Sequence, residues 1–256
     1  MKQEQQEQQK PDQTEFVYGH YASVEALKST QEINKVWLQT GLQDKIRNEV
    51  TQLARKKGLV IQQAPKSKLD ELTDGGNHQG VVLSVAAFNY ATIDDLFENA
   101  KKQSAEPFFL ILDGIEDPHN LGSILRTADA AGVHGIIIPK RRAVQLTATV
   151  AKISTGAIEH VPVARVTNLV NTVSELKDRG MWVFGTDVTG EDYRRWDAKG
   201  ATALIIGNEG KGISPLLKQK VDSMLTIPMT GHVQSLNASV AASLLMYQGF
   251  SSRNPL

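Results

Sequence analysis

From Pro107 onward the chain repeats one pattern, a short uninterrupted apolar run followed by a longer stretch with helical spacing. The runs are Phe108–Ile115, Gly135–Pro139, Val161–Val166, Met181–Asp187, Ala203–Gly207 and Met224–Met229. A strand with one wet face alternates polar and apolar residues, whereas a run apolar throughout needs cover on both faces. The pattern therefore predicts an α/β fold with a mostly parallel sheet flanked by helices. The expected helices run from Leu121 to Ala131 (stopped by Gly132), from Thr147 to Thr155 and up to Gly180. Two more start at Ser214-Pro215 and run from Leu236 to about Phe250.

The first half reads as a smaller α/β unit over 16–88. Val36-Trp37-Leu38 suggests a strand, and Ile46, Val50 and Leu53 mark one face of a helix from Leu42 to Lys57, ended by Gly58. A strand at Leu59–Gln63, a short helix from Ser67 and a buried strand at Val81–Phe88 complete it. Residues 89–106 form a connecting segment. In it Thr92-Ile93-Asp94-Asp95 predicts a capping box opening a helix through Lys102. Residues 1–15 are polar and read as a disordered tail, with no apolar segment of the kind a signal peptide carries.

Composition narrows the chemistry. With 41% hydrophobic residues, the 256-residue chain can build a packed core. It has no cysteine, which excludes disulfides and a thiol nucleophile. The six histidines fall in no zinc-type spacing, so no metal site is expected. No stretch has the apolar length of a bilayer span, and a cytoplasmic protein is expected. Lys and Arg number 28, as do Asp and Glu. Any nucleic-acid affinity must come from local patches, the candidates being Lys56-Lys57 with Lys66 and Lys68, Lys140-Arg141-Arg142, and Arg194-Arg195.

In open α/β sheets ligands bind beyond the carboxyl ends of the strands, and three strand ends here are unusual. After the first comes Asp113-Gly-Ile-Glu-Asp-Pro-His-Asn120, with Arg126 in the following helix. Asn120 is placed to cap that helix, and Arg126 to pair on its surface. After the second comes Gly207-Asn-Glu209-Gly-Lys-Gly212, whose spacing is neither the dinucleotide fingerprint nor a P-loop. After the third, Ile227-Pro228-Met229 leads through a polar loop to Ser235-Leu236-Asn237-Ala-Ser239. Helix capping would need only one of Ser235 and Asn237.

Together these segments resemble the SpoU (TrmH) family of RNA ribose methyltransferases, within the SPOUT superfamily. The matching residues are Asn120 and Arg126 six apart, the Gly207-x-Glu209-x-x-Gly212 loop, Ile227-Pro228, and Ser235 through Ser239. Tyr18-Gly19, Val24–Leu27 and His78-Gln-Gly-Val81 resemble that family's small substrate-binding domain, similar to ribosomal protein L30e. With it the chain looks most like the family's guanosine 2'-O-methyltransferases of large-subunit (23S) rRNA. The resemblance implies a trefoil knot in a catalytic domain over 107–256, S-adenosylmethionine as cofactor, a homodimer with the active site near its interface, and an RNA substrate. It also implies cofactor contacts at Gly207, Ile227, Pro228, Met229 and Leu236, and catalytic roles for Asn120, Arg126, Glu209, Ser235 and Asn237. A non-catalytic RNA-binding or ribosome-assembly module, a tRNA-directed member of the family and a nucleotide-dependent metabolic enzyme are the other readings. The missing glycine fingerprint speaks against the last.

Overall fold

The structure is a computed structural model and describes residues 16–86, 88–233 and 235–256. The tail expected over residues 1–15 lies outside them. The first part carries β1 (Phe16–Tyr18), α1 (His20–Lys28), β2 (Ile33–Gln39), α2 (Asp44–Lys56), β3 (Ile61–Ala64), α3 (Lys66–Leu72) and β4 (Val81–Val85). These strands form a sheet in the order β1-β4-β2-β3, with β2 and β3 parallel and the other pairs antiparallel. Val36, Leu38, Val50, Ala54 and Leu83 close its core. Two separated pieces of sequence meet here. The Gly19 amide donates to the His78 carbonyl at 3.1 Å, and the His20 amide donates to Gln79 Oε1 at 2.9 Å. Gly19 sits at φ 90°, a left-handed conformation that favours glycine.

The helix α4 (Ile93–Lys102) opens on the expected capping box: Thr92 accepts from the Asp95 amide, and the Asp95 carboxylate accepts from the Thr92 amide. Then follow β5 (Phe108–Asp113), α5 (Pro118–Ala130), β6 (Gly135–Pro139), α6 (Ala148–Ser154), β7 (Val163–Val166) and α7 (Leu169–Asp178). The chain ends with β8 (Trp182–Asp192), β9 (Thr202–Gly207), α8 (Pro215–Lys218), β10 (Ser223–Thr226) and α9 (Ala238–Arg253). The sheet order is β10-β8-β9-β5-β6-β7, all pairs parallel. Side chains of β5 split between its faces. Phe108, Leu110 and Leu112 join the core with α5, α6 and α9, and Phe109 and Ile111 join the core with α4 and α7. At about 25 cal/mol per Å² of apolar surface, this burial on both faces is the main stabilising term.

Several elements differ from their expected extents. Helix α5 begins at Pro118, a turn earlier than expected, because Asp117 caps it and Pro118 fits the first turn. Asn120 is thus inside the helix and is not its cap. Strand β8 runs on to Asp192 as an edge-side partner of β10. Strand β10 ends at Thr226, so Ile227-Pro228-Met229 lies in a loop. Helix α9 starts at Ala238, after an Asn237 cap, and α8 is a single turn.

Candidate active site

β9 and β5 pair from Phe108–Thr202 to Asp113–Gly207, so their carboxyl ends finish level. Both loops leaving them are tied together. Asn208 Nδ2 donates to the Gly114 carbonyl at 2.8 Å, and the Ser214 amide donates to Asp113 Oδ2 at 2.7 Å. The second loop closes on itself, since the Asn208 and Gly212 backbones exchange hydrogen bonds of 3.1 and 2.8 Å. Asn208 Oδ1 accepts from the amides of Gly210 and Lys211, fixing the turn from within.

The turn presents Glu209 to two helix starts. Its Oε1 accepts from Asn120 Nδ2 at 2.9 Å, from Asn237 Nδ2 at 2.9 Å and from the Ala238 amide at 3.1 Å. Asn237 Nδ2 also donates to Asn120 Oδ1 at 2.9 Å. Asn237 Oδ1 accepts from the Ser239 and Val240 amides, so one side chain both caps α9 and joins the cluster. A carboxylate at a helix N-terminus is doubly favoured, by the free amides and by the helix dipole. The three polar strand ends thus meet at one oxygen atom.

Beside this junction lies a cavity of about 380 Å³, within the range of small-molecule sites. Its walls include Thr186, Ile206, Gly207, Glu209, Ile227, Met229, Ser235, Leu236 and Leu245. Asp187 and Lys218 pair at one side of it, and the Lys218 hydrogen bond holds the Asp187 carboxyl below its ordinary value. Gly207 is required for a reason other than room for a ligand. A Cβ there would stand 2.3 Å from the Gly212 carbonyl carbon and 2.4 Å from the Ile213 nitrogen, so the loop's own backbone excludes a side chain.

Not every candidate reaches the cavity. Pro228 is exposed and does not line it, although its neighbours Ile227 and Met229 do. Asn120 and Asn237 stand behind Glu209 and are not among the wall residues. Arg126 is exposed on α5, and among the described residues it has no ion-pair or hydrogen-bond partner. Six residues of helix separate it from Asn120, about 9 Å of rise and about 240° of rotation, so it points away from the Asn120 cluster. Sequence reasoning missed Asn208, Thr186, Asp187 and Lys218. Asn208 stood in the glycine loop, but its bond to Gly114 depends on β9 lying beside β5. Thr186 and Asp187 lie within β8, whose place next to β9 no local pattern encodes.

Residues 107–247 match the SpoU rRNA methylase family, and residues 16–91 match the RNA 2'-O ribose methyltransferase substrate-binding domain. A Bacillus subtilis protein assigned to the TrmH family of tRNA/rRNA methyltransferases is 55% identical over 95% of this chain and 98% of its own. The SpoU methyltransferase AviRb of Streptomyces viridochromogenes, solved in complex with S-adenosylmethionine, has a TM-score of 0.58 at 25% identity, covering 93% of this chain and 90% of that one. A TrmH/SpoU tRNA modifying enzyme of A. aeolicus has a TM-score of 0.53 at 28% identity, over 62% of this chain and 84% of its own. The chain therefore belongs to the SpoU (TrmH) family of RNA methyltransferases, and its parallel sheet is the SPOUT methyltransferase fold.

Proposed function

We propose that the protein transfers the methyl group of S-adenosylmethionine to the ribose 2'-hydroxyl of an RNA nucleotide, a guanosine of 23S rRNA, as a cytoplasmic homodimer. The convergence of Asn120, Glu209 and Asn237 beside the cavity carries this reading. The cavity fits the cofactor chemically, having apolar walls at Ile206, Ile227, Leu236 and Leu245 for a heteroaromatic ring and polar groups at Thr186, Glu209 and Ser235. When bound, S-adenosylmethionine supplies a methyl group already activated by its sulfonium charge. Gly207, Ile227, Met229, Ser235 and Leu236 hold it, while Asn120, Glu209 and Asn237 fix the loop and the α9 start that shape the wall.

The chain's remaining tasks are to align the hydroxyl and to favour charge on its oxygen. Arg126 cannot serve as a base, because a guanidinium keeps its proton in proteins. Its two-pronged donor geometry suits gripping a phosphate beside the reacting ribose. Because Arg126 faces away from the Asn120 cluster, we assign it to a site completed by a second copy of the chain. The exposed apolar residues Val240, Leu244 and Tyr247 on α9 support that assembly, since their spacing forms one stripe. Thr127, the neighbour of Arg126, meets Ser243 across the seam of α5 and α9 at 3.2 Å, so the turn of α5 that carries Arg126 packs against α9.

A tRNA substrate is the second reading, supported by the A. aeolicus neighbour. The small domain matches an RNA 2'-O ribose methyltransferase substrate-binding family, and with it the chain resembles the 23S rRNA guanosine methyltransferases, which supports the first reading. Mapping 2'-O-methyl groups in rRNA and tRNA from cells with and without the protein tests both. Loss of one guanosine methylation in 23S rRNA is expected, and loss confined to tRNA would overturn that choice.

A further inference from the structure

The segment between β6 and α6, residues 140–147, is anchored at its start, its centre and near its end. At its start Lys140 Nζ donates to the Gly58 carbonyl at 3.3 Å, reaching the end of α2 in the small domain. At its centre the Val144 amide donates to the Ile115 carbonyl at 2.8 Å, in the loop that leaves β5 toward the active site. Near its end the Leu146 amide donates to Tyr90 Oη at 2.9 Å, and Asn34 Nδ2 of the small domain donates to the Leu146 carbonyl at 3.4 Å. The anchoring is reinforced by Arg165, which lies over the Tyr90 ring at 4.1 Å and donates to the Ile33 carbonyl and Asn34 Oδ1. The segment is thus a bracket joining the small domain to the β5–α5 loop, which Asn208 ties to the candidate site.

Arg141 and Arg142 project from this bracket. Both are exposed, and among the described residues neither forms an ion pair. Arg142 holds a left-handed backbone at φ 56°, which a bulky side chain rarely adopts. On the small-domain side the bracket touches Gly58, just past the last turn of α2, where Arg55 and Lys56 are also exposed and without an ion pair among the described residues. A basic last turn complements a helix dipole and needs no other explanation. That explanation does not reach Arg141 and Arg142, which lie on no helix. The Glu32 carboxylate is turned to Arg165 at 3.4 Å, and its charge acts on Lys140. In a chain with no net charge, four unpaired cations across a braced domain junction make a local basic strip.

We propose that Arg55, Lys56, Arg141 and Arg142 form a phosphate track on which the RNA backbone passes from the small domain to the active-site edge. The inference rests on the RNA methyltransferase reading and deepens it. The track is rigid because its bracket is hydrogen-bonded to both sides, so a phosphate bound there sets the register of the nucleotide farther along. Each neutralised phosphate of single-stranded RNA contributes about 0.7 to the slope of log affinity against log salt.

The test uses the full chain and unmodified in vitro transcribed 23S rRNA. The double variant Arg141→Gln/Arg142→Asn removes two charges, and asparagine tolerates the left-handed backbone at 142. Its salt slope for RNA binding should fall in magnitude by about 1.4 to 1.8. KM for RNA should rise at physiological salt, while kcat at saturating RNA and the affinity for S-adenosylmethionine should match wild type. Arg141→Lys/Arg142→Lys should recover most of the slope, which a merely structural role would not predict. An unchanged slope and KM in the Gln/Asn variant would overturn the track. A wild-type protein that binds RNA with the full slope and transfers no methyl would overturn the catalytic reading and leave the track standing.

Discussion

Glu209 is the residue on which the three polar strand ends depend, and its chemistry predicts two distinct substitutions. Glu209→Ala leaves the Asn120 and Asn237 amides and the Ala238 N–H without their common acceptor. Asn120 is only 7% exposed, so water does not replace the lost partner fully. Denaturant unfolding should show a loss of about 1–3 kcal/mol, the usual cost of a stranded buried donor. Calorimetry should show weaker S-adenosylmethionine binding, because the cavity wall at Leu236 and Ala238 loses its anchor. Glu209→Gln keeps a carbonyl acceptor and should preserve most of the stability. Arg126 predicts the opposite pattern. Arg126→Ala should abolish methyl transfer and leave cofactor affinity and stability near wild type, since it has no partner among the described residues. Arg126→Lys keeps the charge and loses the planar fork, so it should be nearly as inactive at neutral pH, with no recovery as pH rises. Recovery of near-wild-type turnover in alkali would make position 126 a proton acceptor.

At the scale of elements, the join between β5 and β6 carries a titratable device. The Phe108 amide donates to His134 Nδ1 at 3.0 Å, so His134 must be neutral on that nitrogen. Burial, and then the nearby Arg253 charge, lower its pKa from 6.5 to about 4. The unfolded chain takes up this proton near the ordinary value and the folded chain resists it. The stability from neutral His134 is therefore complete above about pH 6.5 and is lost as pH falls toward about 4. Chemical denaturation at pH 7 and pH 4.5 should show that loss in wild type and a smaller one in His134→Asn, which keeps an acceptor that does not titrate. Equal losses in the two proteins would assign the acid sensitivity elsewhere.

The elements themselves were largely legible in sequence. Apolar runs marked six strands because a strand covered on both faces has no polar alternation, and Thr92 with Asp95 announced the start of α4. The start of α5 was misread because Asn120 can cap a helix as well as Asp117 can. Only the position of Glu209 opposite it shows what its amide does instead. The extension of β8 escaped because Val188–Glu191 is exposed and carries no apolar pattern.

For the whole molecule, strand order was the largest thing the sequence withheld. Nothing local says that β9 inserts between β8 and β5, yet that order brings Asn120, Glu209 and Asn237 together from positions far apart in the chain. The site's residue types were legible through the family resemblance, and their contacts were not. The proposed dimer belongs to this scale too. Leu244→Glu/Tyr247→Glu places two charges on the exposed stripe of α9. Light scattering should report a dimer for wild type and a monomer for this variant, with methyl transfer lost and the fold retained by circular dichroism. A monomeric variant with full activity would place the whole site, Arg126 included, within one chain.

The central claim is methyl transfer to a ribose oxygen of RNA. The direct measurement incubates the purified protein with S-adenosylmethionine labelled in its methyl group and unmodified 23S rRNA, then hydrolyses the product in alkali. A 2'-O-methyl group blocks cleavage of the adjacent phosphodiester, so the label should appear in alkali-resistant dinucleotides whose 5' residue is guanosine. Label released in mononucleotides would place the methyl on a base, and no label in 23S rRNA, nor in unmodified tRNA offered in its place, would contradict the enzymatic reading altogether.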